Sequence, residues 1–143
     1  MRILGIDYGQ ARVGVAITDP LNITAQGLET IQRNNSDKIV LKRLDEILEQ
    51  YEVGTIVVGN PLNMNGTMSE RAEITKKFIH KLKCKYNKLK IETIDERLTT
   101  VAAHKTMNFL DINKNKKRDI VDTISAVYIL EIYLNKMKNT LQN

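Results

Sequence analysis

Apolar positions along this chain run on unbroken, alternate, or recur at helical spacing, and each regime predicts an element. Ile3-Leu4-Gly5-Ile6 is almost continuously apolar and ends in one carboxylate, Asp7. That is the pattern of a central strand covered on both faces. Past Gly9 the chain returns as an alternating run, Arg12-Val13-Gly14-Val15-Ala16, which predicts an antiparallel partner. Asp19-Pro20-Leu21-Asn22 reads as a turn, and Ile23 to Ile31 as a third strand loosened by Gly27. Asn34-Asn35-Ser36 supplies N-cap candidates for a helix with Val40, Leu44, Ile47, Leu48 and Tyr51 inward, stopped by Gly54. Thr55-Ile56-Val57-Val58-Gly59 is short, β-branched and apolar, as a buried parallel strand requires.

Asn60 to Gly66 is a turn-rich loop. Thr67-Met68-Ser69-Glu70 matches a capping box, with Thr67 at the N-cap. The helix it predicts buries Ala72, Thr75, Phe78, Ile79 and Leu82 and exposes Lys76, Lys77, Lys81 and Lys83, with His80 among them. Leu89 to Glu96 alternates as a fifth strand, with Leu89, Ile91 and Thr93 on one face and Lys90, Glu92 and Ile94 on the other. Thr99 and Thr100 can cap a short helix with Ala103, Met107 and Leu110 inward; His104 lies in it. Asp111 to Arg118 reads as a basic loop, and a broadly apolar helix runs from about Asp119 to Met137. A meander, a helix and further strands make an α/β fold with a mixed sheet. With 143 residues and no linker or repeat, one domain over 1–143 is expected.

Charge narrows the partner class. The net charge is +5 and the pI about 9.3, which favours an acidic partner, nucleic acid first. The single cysteine, Cys84, excludes a disulfide and a cysteine-based zinc site. The first apolar run is broken by Asp7, so no signal peptide or membrane span is expected, and a cytoplasmic home follows.

The carboxylates carry the chemistry. Asp7 closes the first strand, where Gly9 lets backbone N–H groups approach a phosphate. Asp95 and Glu96 close the fifth strand on opposite sides, and alternation alone leaves both open. Asp122 lies one turn into the last helix, with Ser125 and Ala126 at i+3 and i+4 as small neighbours that let the helix approach the sheet. Converging acids repel unless a cation lies between them, and oxygen-only ligands suit Mg²⁺ or Mn²⁺. Such ions cleave phosphodiesters, so the pattern points to a metal-dependent nuclease. The plainer roles are a turn residue for Asp7, a helix-dipole acid for Asp122, a role that Asp119 suits better, and a solvated face for Lys114 to Arg118.

Four blocks, in order, resemble the YqgF (RuvX-like) family of the RNase H-like superfamily. They are Gly5-Ile6-Asp7-Tyr8-Gly9 through Ala16; Val58-Gly59-Asn60-Pro61 through Thr67; Asp95-Glu96-Arg97-Leu98-Thr99-Thr100; and Val121-Asp122 with Ser125-Ala126 and Ile129-Leu130. The resemblance implies an RNase H-like fold, a five-stranded mixed sheet flanked by helices. It implies Asp7, Glu96 and Asp122 as catalytic and metal-binding acids, and a basic role for Arg12 and Arg97 toward phosphate. With Gly9 and the run Lys116, Lys117 and Arg118, these arginines form the expected nucleic-acid surface. Asn60 and Asn65 depart from the family's apolar residue and aspartate in the glycine-rich loop. The implied activity is maturation of the 5′ end of precursor 16S ribosomal RNA, with Holliday junction resolution as the alternative. A non-cleaving ribosome-assembly factor that binds RNA with the same basic surface is a further alternative. An actin-like ATP-binding protein shares Gly-x-Asp-x-Gly after its first strand, but it closes two large domains over its nucleotide. Structured RNA or junction DNA is the expected partner, with no membrane, and the chain a monomer or a homodimer.

Overall fold

The computed structural model describes residues 1–61, 65, 69–95 and 114–142, with 114–122 and 141–142 described by their backbone. The elements run β1 (Arg2–Tyr8), β2 (Arg12–Thr18), β3 (Ala25–Gln32), α1 (Asp37–Gln50), β4 (Val53–Asn60), α2 (Glu70–Lys85), β5 (Lys90–Asp95) and α3 (Lys114–Gln142). They form one mixed sheet in the order β3-β2-β1-β4-β5. β1 is its centre, antiparallel to β2 and parallel to β4, which explains the unbroken apolar run at the start of the chain.

Alternation along the strands divides the core in two. Leu4, Ile6, Tyr8, Val13, Val15, Ile17, Ile56 and Val58 face α1 and α2, where Val40, Leu44, Ile47, Phe78 and Leu82 close over them. Ile3, Ala16, Val57 and Ile94 face α3, against Ala126, Ile129, Leu130 and Tyr133. Each large aliphatic side chain buried this way contributes on the order of 2 kcal/mol.

The α3 face is paved with small residues. Gly5 pairs with Ala16, and Ala16 with Gly27, making one row across three strands. A Cβ on Gly5 would lie 2.5 Å from Leu130 Cγ and 3.0 Å from the Ala126 carbonyl oxygen; one on Gly27 would lie 2.0 Å from Thr123 Cγ2. The helix backbone therefore rests directly on the sheet, as the Ser125-Ala126 patch predicts. A bulge opposite Val15–Ala16 keeps Gly27 and Thr30 on this face while Leu28 and Glu29 turn toward α1.

Several boundaries differ from expectation. β3 begins at Ala25 because the Asp19 carboxylate accepts the N–H groups of Ile23 (2.7 Å) and Thr24 (2.9 Å), holding both in the turn. Helix α1 ends at Gln50, where the Tyr51 N–H caps the Ile47 carbonyl, and Gly54 lies inside β4. Ser69, not Thr67, caps α2: its hydroxyl accepts the Ala72 N–H at 3.0 Å and donates to the Pro61 carbonyl at 2.6 Å. Lys114 to Arg118 form the first turns of α3 rather than a loop, consistent with the high helix propensity of Lys and Arg. The expected short helix with His104 lies outside the described residues, as do Thr67 and Gly66.

Candidate active site

β1, β4 and β5 are parallel and end at one edge of the sheet, and Asp7 occupies that edge on β1. Alternation from Ile3 and Gly5 turns Asp7 to the α3 face, where it is only 9% exposed. It pairs with Gly14, and Gly14 with Thr30 on β3. Across this row lies α3: the Thr123 hydroxyl is 3.1 Å from that of Thr30. Asp122, described by its backbone, precedes Thr123 in α3. Ser125, one turn on, is 1% exposed, and its hydroxyl has no hydrogen-bond partner among the described residues.

Asp95 is separated from this group. Ile91 packs toward α1 and α2 and Ile94 toward α3, so Asp95 falls on the face opposite Asp7, exposed and paired in register with Asn60. Glu96 and Arg97 lie outside the described residues, and Asp119 is placed by its backbone within α3. Among the described residues no three acidic, histidine or cysteine side chains gather as a metal site. The Thr30–Thr123 hydroxyl pair lies two strands from Asp7, across β2, so of these groups the Asp7 carboxylate alone occupies the β1 end. As an oxygen donor it suits a hard divalent cation rather than a soft one.

On the other face, Tyr8 anchors the same strand end in a closed charge network that the sequence reading did not find. Its ring stacks on Phe78 at 4.1 Å between centroids, and the Arg33 guanidinium lies 5.7 Å above it. Its hydroxyl donates to Asp37, which also accepts from Arg33 Nε at 2.8 Å and Lys81 Nζ at 2.7 Å. Burial alone raises the Asp37 carboxyl, but the hydrogen bonds from Lys81, Tyr8 and Arg33 outweigh it and hold it down at about 2. Burial and the neighbouring Asp37 push the Tyr8 phenol up to about 12. The one local signal was Asp37 in a first helical turn; its partners come from three other places in the chain.

The expected basic residues are partly assembled. The Gly9 N–H donates to the Arg12 carbonyl at 3.0 Å, and a Cβ on Gly9 would meet that oxygen at 2.5 Å, so the tight turn needs glycine. Gly9 and Arg12 thus flank the strand end that carries Asp7. Lys116, Lys117 and Arg118 are placed by their backbone at the start of α3. His80 is exposed, 3.6 Å from the Cys84 sulfur.

Comparison with known proteins gives a consistent answer. A protein of Ruminiclostridium cellulolyticum named "Putative pre-16S rRNA nuclease" is 54% identical over 137 residues, covering 96% of each chain. One of Acetivibrio thermocellus with the same name is 49% identical over 141 residues, covering 99% of this chain and all of that one (100%). Thermus thermophilus RuvC superposes with a TM-score of 0.54 at 11% identity, over 96% of this chain and 97% of that one. The fowlpox virus Holliday junction resolvase gives 0.54 at 14%, over 95% and 99%. These two likenesses establish the fold, the RNase H-like sheet of the RuvC-type resolvases. The sequence profile of the RuvX family, described as Holliday junction resolvase, matches residues 1–136. Identity near one half across almost the full length of both chains agrees with that match: this chain belongs to the RuvX family.

Proposed function

We propose that this chain is a nuclease that hydrolyses phosphodiester bonds at the 5′ end of precursor 16S ribosomal RNA. Asp7, Glu96 and Asp122 hold one or two Mg²⁺ or Mn²⁺ ions in this reading. The observation that carries it is Asp7, a buried carboxylate at the sheet edge, on the face where small residues bring α3 down to it. A charge buried to that degree is costly unless a cation or donors compensate it. A divalent ion bound there supplies Lewis-acid polarisation of the scissile phosphate and a water of lowered pKa. The chain's own contribution is position. The rigid end of β1 fixes Asp7, and the turn from Gly9 to Arg12, closed by the Gly9 N–H on the Arg12 carbonyl, sets Arg12 at the start of β2, where its guanidinium takes a phosphate of the strand in this reading. Arg97 and the run Lys116, Lys117 and Arg118 take neighbouring phosphates of the strand. The net charge of +5 gives this surface the sign that nucleic acid requires.

The family description favours a second reading, four-way junction DNA, which calls for a two-fold dimer presenting two sites. No helix among the described residues is long and apolar enough to cross a membrane. The deciding experiment offers purified protein a precursor 16S rRNA fragment and a four-way junction side by side, with Mg²⁺, with Mn²⁺ and with EDTA. EDTA-sensitive cleavage of the RNA is expected. Cleavage of the junction alone overturns the substrate, and salt-sensitive binding without cleavage of either overturns the enzyme in favour of an assembly factor.

A further inference from the structure

The described arginines are not used alike. Arg43 is held by Glu29 and Glu46, both at 2.6 Å, and Arg33 by Asp37 at 2.8 Å. Arg2 lies over the Tyr51 ring. Arg71, in the first turn of α2, is exposed and pairs with no carboxylate among the described residues. Its Nη2 donates instead to the Tyr8 carbonyl at 3.4 Å. That bond is long and its acceptor uncharged, so it orients the guanidinium without neutralising it. Tyr8 directly follows Asp7, and Tyr8, Gly9, Gln10, Arg71, Ile74 and Thr75 line a shallow cleft at this strand end.

We propose that Arg71 is a phosphate-binding residue for the substrate strand, on the α2 side of the sheet edge. This rests on the nuclease reading for its substrate, but not for its geometry. A guanidinium carries five N–H donors; one is engaged, and the others suit bidentate capture of a phosphate. Asp7 opens toward α3, whereas Arg71 stands on the opposite side of the same strand end. A strand cut at Asp7 therefore crosses the edge of β1, with one of its flanking phosphates on Arg71 and the next ones toward the start of α3. The Tyr8 network gives this cation a fixed base, since Phe78 and Asp37 immobilise the residue whose carbonyl it holds.

The test compares the full chain with Arg71→Ala and Arg71→Lys. Binding to the precursor rRNA fragment and to a four-way junction is measured in EDTA over a series of KCl concentrations. Arg71→Ala is expected to weaken binding about tenfold at low salt and to lower the slope of log K against log [KCl] by about one. Arg71→Lys keeps the slope and recovers only part of the affinity, because an ammonium is not bidentate. With Mg²⁺, the same loss appears in KM while kcat changes by less than about twofold. An unchanged slope in Arg71→Ala overturns the proposal. Because binding is read in EDTA, a protein that binds but never cuts sinks the nuclease reading and leaves the Arg71 result standing on its own.

Discussion

The two faces of this sheet are built to opposite rules. Toward α1 and α2 the strands present large aliphatic side chains, and the half-buried acid there, Asp37, is matched by two cations and a phenol. Toward α3 they present Gly5, Ala16 and Gly27, and at the edge the carboxylate of Asp7. The first face is filled and electrostatically closed. The second gives up side-chain volume so that a helix backbone, with its threonine and serine hydroxyls, reaches the strands. The difference teaches that one strand end can carry a buried carboxylate on one face and a closed charge network on the other, Asp7 and Tyr8 being adjacent residues that point to opposite sides.

The strongest way to break the comparison is at Asp7 itself. Asp7→Asn keeps shape and burial but removes the charge, so cleavage is expected to fall by roughly a thousandfold or more. The fold should survive, with a melting temperature unchanged or raised in the absence of metal. Undiminished cleavage of precursor rRNA by this variant would place the chemistry elsewhere. Next in size is Gly5→Val. Its side chain enters the space of Leu130 and the Ala126 carbonyl, and α3 must lift; a loss of about 3 kcal/mol or more is expected from urea unfolding. The same change at Gly54, which meets only the flexible Met1 side chain, should cost far less.

The aliphatic face was largely legible in the sequence, because its signals are periodic: the unbroken run of β1 and the spacing of Val40, Leu44 and Ile47. The small-residue face was only half legible. Ser125-Ala126 read correctly as a place of close approach, but Gly27 read as a weak point in a strand. Its role appears only when the bulge after it sets Gly27 and Thr30 under Thr123. The choice between Thr67 and Ser69 as the cap of α2 was equally hidden, since it depends on the Pro61 carbonyl, eight residues away. Charge misled at Lys114 to Arg118, where a basic run that looked like a solvated loop is the start of a helix. Asp7 was legible because it ends an apolar strand, and Asp95 was ambiguous because strand alternation needs a fixed reference on the neighbouring strand, which Asn60 supplies. Asp37 gathers donors from β1, from the end of β3 and from α2, and Arg71 meets Tyr8 across 63 residues; neither leaves a local pattern.

Asp37 offers a sharper version of the contrast. Asp37→Ala leaves Arg33 and Lys81 without their carboxylate and frees the Tyr8 hydroxyl, for an expected loss of about 2 kcal/mol at neutral pH. The carboxyl sits at about 2 in the folded chain, below its usual 3.8, so the folded state favours the ionised form. Its contribution is fully present above about pH 4 and is lost as pH falls through about 2. Urea midpoints measured at pH 7, 4 and 3 should therefore converge for parent and variant toward the acid end. A constant gap between them would mean that the network acts through packing alone.

The smallest effect is the most diagnostic of what the α3 face is for. The Ser125 hydroxyl is buried without a hydrogen-bond partner among the described residues, which for a purely structural serine is a net cost. Ser125→Ala removes that cost at nearly constant volume and is expected to leave stability unchanged or raise it by up to about 1 kcal/mol. If cleavage also stays unchanged, the residue is small only to admit the helix, as Ala126 is. If stability rises while cleavage falls, the hydroxyl is maintained for the site at the expense of the fold. That outcome would extend the division between the two faces to a single oxygen atom, three residues along α3 from Asp122.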